Sequence, residues 1–371
     1  CFWLLMPAAA ESIPVQKLQA IESSSFLLRR GNNSSHTEMS GDNSAAPVQV
    51  HLEMAKQHRR PSGIDLEEYF ELKARGVAQQ PPWLILKKEL QLTSRLGDGA
   101  MGEVFEGEYK GKPVAVKTLH EQFEEGSQEY IDMIQEVNII SRNYKNPSQM
   151  HPNIIRFIGV CLQDKVPLLV MELMGGGTLN DMMNRKSVQS FNKRYRPPRE
   201  DMLRWSTQLM QGVSHLHTAG IIHRDIKPHN LMLTADEKTL KLGDFGNSKS
   251  TKSSEQGDTQ MMTGKTGTLR YMAPEVYLVV RHTYDEKVDI YSCAMIFWFL
   301  CTGSRVFDKM TDVMAAHSAC VAAVRPPISA LPYKDMRPIV ESCWDHDPKQ
   351  RPSSEELLEQ LQQLKKPALC G

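Results

Sequence analysis

Residues 223–230 read His-Arg-Asp-Ile-Lys-Pro-His-Asn, and Asp244-Phe245-Gly246 follows with Asp244 placed 19 positions after Asp225. This pairing constrains the chain more than any other feature. One short loop supplies a carboxylate (Asp225), an ammonium (Lys227) and an amide (Asn230), and a second carboxylate comes close behind. Transfer of a phosphoryl group needs such a set: a base at the acceptor hydroxyl, a cation on the moving phosphate, and two oxygen ligands for magnesium. The fold has to bring both loops to one place.

Composition limits the alternatives. At 371 residues with 40% apolar content, the chain can bury the core of one two-lobed domain and still carry an extension. A net charge of zero gives no global basic field to recruit nucleic acid or a membrane surface. Seven scattered cysteines (Cys1, Cys161, Cys293, Cys301, Cys320, Cys343 and Cys370) include no CxxC pair, against both a disulfide framework and a zinc site. A reducing, cytoplasmic setting is the expectation. No run approaches the ~20 apolar residues that span a bilayer, so no membrane span is expected. The opening Cys1-Phe2-Trp3-Leu4-Leu5-Met6 is short and lacks the basic flank of a signal peptide. The first residue is not Met, in keeping with a fragment of a longer protein.

Residues 31–49, rich in Ser, Asn and Gly, read as a disordered linker. Residues 65–75 read as a short helix, with Asp65 as cap, Glu68 as its partner, a Leu66, Tyr69 and Phe70 stripe, and Gly76 at its end. Pro81-Pro82 mark a boundary. From about Glu89 the pattern becomes strand-like. Gly97-Asp98-Gly99-Ala100-Met101-Gly102 leads into Glu103–Tyr109, a turn at Lys110-Gly111-Lys112, and Pro113-Val114-Ala115-Val116-Lys117. A G-x-G-x-x-G run alone also fits a Rossmann dinucleotide site, but that fold needs a helix directly after the glycines, and a hairpin follows here. A helix comes next, capped at Ser127, with Ile131, Ile134, Val137 and Ile140 as its buried stripe. Beyond Thr178 the chain turns mainly helical, which marks two lobes joined by a hinge. Residues 142–150 lengthen one connection. The basic residues Arg185, Lys186, Lys193, Arg194, Arg196 and Arg199 fit either a solvated loop or a docking patch for an acidic partner.

Taken together, the glycine run, Val-Ala-Val-Lys ending at Lys117, His223-Arg224-Asp225, Asp244-Phe245-Gly246 and Ala273-Pro274-Glu275 resemble the protein kinases. The resemblance implies an α+β bilobal fold, with a small antiparallel sheet and one main helix in the N-lobe and a larger, mainly α-helical C-lobe. The kinase domain would span 89–365 (N-lobe 89–171, hinge 172–178, C-lobe 179–365), after an extension at 1–88 and before a tail at 366–371. Asp289-Ile290-Tyr291-Ser292, Arg325-Pro326-Pro327-Ile328, Cys343-Trp344, Asp347-Pro348 and Arg351-Pro352 look like the tyrosine-kinase-like group of Ser/Thr kinases, related to the Raf and mixed-lineage families.

Site residues follow from the same resemblance. Gly97, Gly99 and Gly102 let backbone approach phosphate where a side chain would collide. Lys117 would hold the α- and β-phosphates, oriented by Glu136, with Glu129 and Asp132 as rivals. Leu96, Val104 and Ala115 would roof the adenine pocket and Met232 would floor it. Met171 would be the gatekeeper, and the backbones of Glu172 and Met174 would bind the adenine edge. Asp225 would accept or orient the acceptor hydroxyl, Lys227 would meet the γ-phosphate, and Thr268 would bond both. Asn230 and Asp244 would hold Mg2+. His223 and Phe245 would stack with Phe157 and Ile140 in the core, and Arg351 would pair with Glu275. Lys227 and Pro228 favour Ser/Thr over Tyr acceptors. ATP, Mg2+ and a protein substrate are the implied ligands, with no nucleic acid. The loop from Asn247 to Thr266 carries the regulatory candidates Thr263 and Thr266, whose phosphates Arg224 would pair with under an upstream activating kinase. A pseudokinase scaffold and a dual-specificity or tyrosine kinase are the alternatives.

Overall fold

The computed structural model describes residues 83–98, 102–118, 137, 151–163, 167–190, 194–250, 269–278 and 285–365. The linker at 31–49, the helix at 65–75, Ile131, Ile134, Ile140, the connection at 142–150, Lys193 and the tail at 366–371 lie outside them.

Five antiparallel strands form the smaller lobe: β1 (Leu90–Asp98), β2 (Glu103–Tyr109), β3 (Lys112–Thr118), β4 (Phe157–Cys161) and β5 (Leu168–Glu172), in the order β1-β2-β3-β5-β4. Side chains alternate across such a sheet, and the alternation gives its two faces different uses. Val114, Val116, Leu168 and Val170 point to one side and pack with Ile85, Leu90 and Cys161 in a small separate core. The intervening residues face the other way. Cross-strand partners there run Gly97 to Val104 to Lys117 to Leu169, and beside them Ala115 to Met171 to Phe157. Phe157 and Leu169 join the core of the larger lobe. A register shift between Arg95 and Gly97 bends β1 just before the glycine turn.

The larger lobe is mainly helical. After the short β6 (Gly177–Thr178), α1 (Leu179–Gln189) starts from a capping box in which Asp181 N–H donates to Thr178 Oγ1 at 3.1 Å. It is followed by α2 (Arg199–Thr218), α3 (Pro274–Tyr277), α4 (Lys287–Thr302), α5 (Asp312–Cys320), α6 (Met336–Cys343) and α7 (Ser354–Lys365). Helix α4 is apolar around its whole circumference, and all its residues after Lys287 are buried. Such a helix belongs at the centre of a domain. Gly303 ends it at φ +67°, where a Cβ would lie 2.1 Å from the Tyr195 carbonyl. Small strands β7 (Ile221–Ile222), β8 (Leu231–Leu233), β9 (Leu240–Leu242) and β10 (Lys249–Ser250) carry the loops between α2 and α3. The expected two-lobed α+β architecture is what the described residues adopt.

The basic residues at 185–199 are largely neutralised within the chain. Arg185 and Lys186 both pair with Glu237, Arg194 with Asp308, and Arg199 with Asp335. That favours the solvated-loop reading over a docking patch.

Arg351 carries the largest buried charge network. Its Nη1 and Nη2 donate to the two oxygens of Glu275 at 2.6 and 2.9 Å, its Nε to Asp345 O at 2.9 Å, and its guanidinium lies 5.0 Å from the ring centre of Tyr291. This side chain ties α3 to the segment before α7. Removing one partner of a buried pair leaves the other uncompensated. Arg351→Met is expected to lower stability by on the order of 3 kcal/mol, and Arg351→Lys should not restore it, because an ammonium cannot make the two-pronged contact. Urea unfolding measures both variants; midpoints equal to wild type would contradict this account.

Candidate active site

The two loops singled out in the sequence meet because β8 and β9 fold back on each other. Leu231 pairs with Leu242, Met232 with Lys241, and Leu233 with Leu240. Asn230 therefore ends one side of the hairpin and Gly243 the other, and Gly243 N–H donates to Asn230 O at 2.9 Å. Asp244 follows immediately. The spacing of 19 positions between the two aspartates is the length of this excursion plus its flanking turns.

Loop 223–227 is held from below. Asp289, in the first turn of α4, accepts from His217 Nε2 at 2.9 Å and from the backbone N–H groups of His223 and Arg224, both at 2.8 Å. Burial alone would raise the Asp289 carboxyl, but the His217 hydrogen bond and the neighbouring imidazoles prevail and hold it below the usual carboxylate range. His223 Nε2 donates to Gly243 O at 3.1 Å, which leaves Nδ1 to accept from Asp225 N–H at 3.3 Å. Its ring tilts against Phe245 with centroids 5.2 Å apart. Phe157 and Val137 are buried in the same core, as the stacking expectation for His223 and Phe245 requires of Phe157; Ile140 lies outside the described residues.

At the tip, Asp225 is 2% exposed. Its Oδ2 accepts from Lys227 Nζ at 2.8 Å, Asn230 Nδ2 at 3.1 Å and Asn247 Nδ2 at 3.3 Å. Its Oδ1 is buried with no hydrogen-bond partner among the described residues. Asn230 Nδ2 also donates to Asp225 O at 2.7 Å, so the amide spends its nitrogen on the 225 segment. Lys117, from β3, places Nζ 2.9 Å from Asp244 Oδ1 and so joins the lobes. Burial would raise the Asp244 carboxyl, and the Lys117 charge and hydrogen bond overcome that and lower it. Arg224 and Asp244 both sit in the left-handed region, at φ +69° and +61°, although neither is glycine. Such strain costs about 1–3 kcal/mol per residue and collects at functional sites.

Between the lobes, Leu96 is 50% exposed, Val104, Met171 and Met232 are half-buried, and Ala115 is just within the buried class. Core packing alone does not explain this, because Met232 lies between two fully buried leucines, Leu231 and Leu233. The Met174 N–H has no backbone acceptor among the described residues, whereas its carbonyl accepts from Gly177 N–H at 3.0 Å. Gly97 and Gly102 are described; Gly99, Glu136, Thr263, Thr266 and Thr268 lie outside the described residues.

Sequence reasoning overlooked several contributors. Asp289 was noticed only as part of a motif, and its anchoring role has no local signature. Lys241 Nζ bonds Glu172 Oε1 at 2.7 Å, an oxygen that also accepts from Arg156 N–H at 2.6 Å, so this side chain fixes the start of the hinge. The strand alternation that places Lys241 between buried Leu240 and Leu242 was the available clue. Arg270 is buried and donates to the carbonyls of Val306, Phe307 and Met310 as well as to Asp312, clamping 269–271 above α5.

A protein kinase domain model matches residues 90–361. Serine/threonine-protein kinase STY46 of Arabidopsis thaliana is 31% identical over 284 residues, 76% of this chain and 46% of that protein. Serine/threonine/tyrosine-protein kinase HT1 of the same plant is 31% identical over 278 residues, 74% of this chain and 66% of that protein. A mitogen-activated protein kinase kinase kinase of Drosophila melanogaster is 31% identical over 299 residues, 78% of this chain and 24% of that protein. The chain thus spans less than half the length of the first of these and about a quarter of the last. These relatives are of tyrosine-kinase-like type, the group that the motifs between 289 and 352 resemble. The family model covers most of the chain and falls on the segment in which the Asp225 and Asp244 loops converge, so the chain belongs to the protein kinase family.

Proposed function

We propose that this chain is an ATP-dependent protein serine/threonine kinase that moves the γ-phosphate of ATP to Ser or Thr hydroxyls of protein substrates. The observation that carries the reading is Asp225, a buried carboxylate with one oxygen held by three donors and the other without a partner among the described residues. A buried acceptor of that kind waits for a donor from outside the chain, and a substrate hydroxyl is one. Asp225 orients the hydroxyl and takes its proton as the new oxygen–phosphorus bond forms and the bond from the γ-phosphorus to the β,γ-bridging oxygen breaks, releasing ADP. The transition state is loose, so positioning and charge outweigh strong basicity. Lys227 compensates charge on the moving phosphoryl group. Lys117, oriented by Glu136, holds the α- and β-phosphates, and Thr268 braces Asp225 and Lys227.

The nucleotide lies under Gly97, Gly99 and Gly102, with its base among Leu96, Val104, Ala115, Met171 and Met232 and its edge on the backbones of Glu172 and Met174. Partial exposure of the apolar members and the free Met174 N–H support that placement. The Asp244 carboxylate and the Asn230 amide oxygen are hard donors that fit Mg2+, which binds through one or two protein oxygens together with phosphate and water. Mg2+, when bound, neutralises charge on the phosphates. The kinase domain runs from 89 to 365, and an upstream kinase acts on Thr263 or Thr266, whose phosphate pairs with Arg224. A cytoplasmic setting is supported by Cys293, Cys301, Cys320 and Cys343, buried thiols that form no disulfide among the described residues.

Two relatives whose names include tyrosine or dual specificity favour a second reading, transfer to Tyr as well. The scaffold alternative loses ground because Lys117, Asp225, Asn230 and Asp244 are all present.

Labelled phosphate transfer from Mg-ATP to a generic protein substrate tests the reading. Asp225→Asn should reduce transfer by at least about a hundredfold, and the product should contain phosphoserine or phosphothreonine. An inactive wild type, even after treatment with an activating kinase, would leave the scaffold role; phosphotyrosine would move the chain to dual specificity. The double variant Thr263→Ala with Thr266→Ala should turn over more slowly than wild type, and equal turnover would remove both threonines from regulation.

A further inference from the structure

Asn247, directly after Asp244-Phe245-Gly246, turns its amide back toward the 223–230 loop and places Nδ2 3.3 Å from Asp225 Oδ2. Only the amide nitrogen can face an ionised carboxylate, because the amide oxygen would be repelled. A carboxylate rotates broadly about its terminal bond, and its two oxygens are chemically equal until something distinguishes them. Among the described residues, every donor falls on Oδ2, and Oδ1 has none.

The three donors differ in what substrates ask of them. Lys227 is the cation nearest the acceptor site and has a phosphoryl group to meet. Asn230 shares a backbone hydrogen bond with the segment leading to Asp244, and its amide belongs beside the nucleotide's cation. Both are drawn elsewhere when nucleotide binds. Asn247 has no such competing ligand, and among these donors it alone comes from the segment that carries Asp244. It links the acceptor side of the site to the nucleotide side.

We infer that Asn247 is a positioning residue for Asp225: its amide holds Oδ2 during turnover so that Oδ1 faces the incoming hydroxyl. The inference rests on the kinase reading above. A purely structural Asn247 would instead fill the turn in which Ser248 N–H donates to Phe245 O at 2.9 Å.

The variants are Asn247→Leu, which keeps the volume but loses the donor, and Asn247→Ser, which loses the reach without adding apolar bulk. Each is compared with wild type for kcat on a serine-containing protein substrate, for Mg-ADP affinity by calorimetry, and for its urea midpoint. A positioning role gives a kcat about tenfold lower, equivalent to one lost hydrogen bond, with Mg-ADP affinity and midpoint unchanged. Asn247→Gln, which keeps the amide, should recover part of the rate. In an Asp225→Asn background, Asn247→Leu should have no further effect. Wild-type kcat in both Asn247→Leu and Asn247→Ser overturns the inference, and so does a loss of rate that tracks lost Mg-ADP affinity or lost stability. A wild type that binds Mg-ADP but transfers no phosphate overturns the kinase reading itself and this inference with it.

Discussion

Asp289 accepts three hydrogen bonds and donates none, and the candidate site is built above it. Two of the three come from the backbone of His223 and Arg224, so what it fixes is the path of the main chain and not a side chain. Arg224 sits at φ +69° next to Asp225. A strain of about 1–3 kcal/mol persists only where other contacts overdetermine it, and charge-assisted bonds of roughly 1.5–3 kcal/mol each are enough. This also accounts for the character of α4. A carboxylate can hold a strained loop only from a rigid base, and a helix buried on every side supplies one.

The Lys117 to Asp244 pair is a different kind of interaction. Both groups are largely buried and 2.9 Å apart, yet a buried ion pair contributes little net stability once desolvation is counted. Its value lies in linkage: β3 of the smaller lobe supplies the ammonium and the segment after β9 the carboxylate, so each charge compensates the other across the two lobes. Burial alone would raise the Asp244 carboxyl, and the Lys117 ammonium holds it below the usual carboxylate range.

Much of this was legible in the sequence, and the reasons are specific. The 223–230 and 244–246 runs are contiguous, so their chemistry could be read before any contact was known. The hairpin after the glycines, against the helix a Rossmann site needs, separated two folds that share a motif. Illegible parts all depend on partners far apart in the chain. Asp289 lies 66 positions from His223, and Lys241 lies 69 from Glu172. No local periodicity reports such a meeting. The partners of the basic residues at 185–199 were hidden for the same reason: the charge was plain, but Glu237, Asp308 and Asp335, which neutralise it and favour the solvated loop, are up to 136 positions away.

Strand alternation joins several of these functions in one small hairpin. Leu231, Leu233, Leu240 and Leu242 all point inward and are fully buried. Met232 and Lys241, their alternates, are directly paired across the two strands and point the other way. Met232 is thereby left half-buried on the opposite face, while Lys241 reaches the Glu172 carboxylate at the end of β5. The hairpin's two ends carry Asn230 and, one residue beyond Gly243, Asp244. A one-residue slip of register would turn the leucines outward and bury Lys241, so the core itself specifies the register. The leucine packing that stabilises the lobe therefore also sets where Asn230, Met232, Lys241 and Asp244 stand.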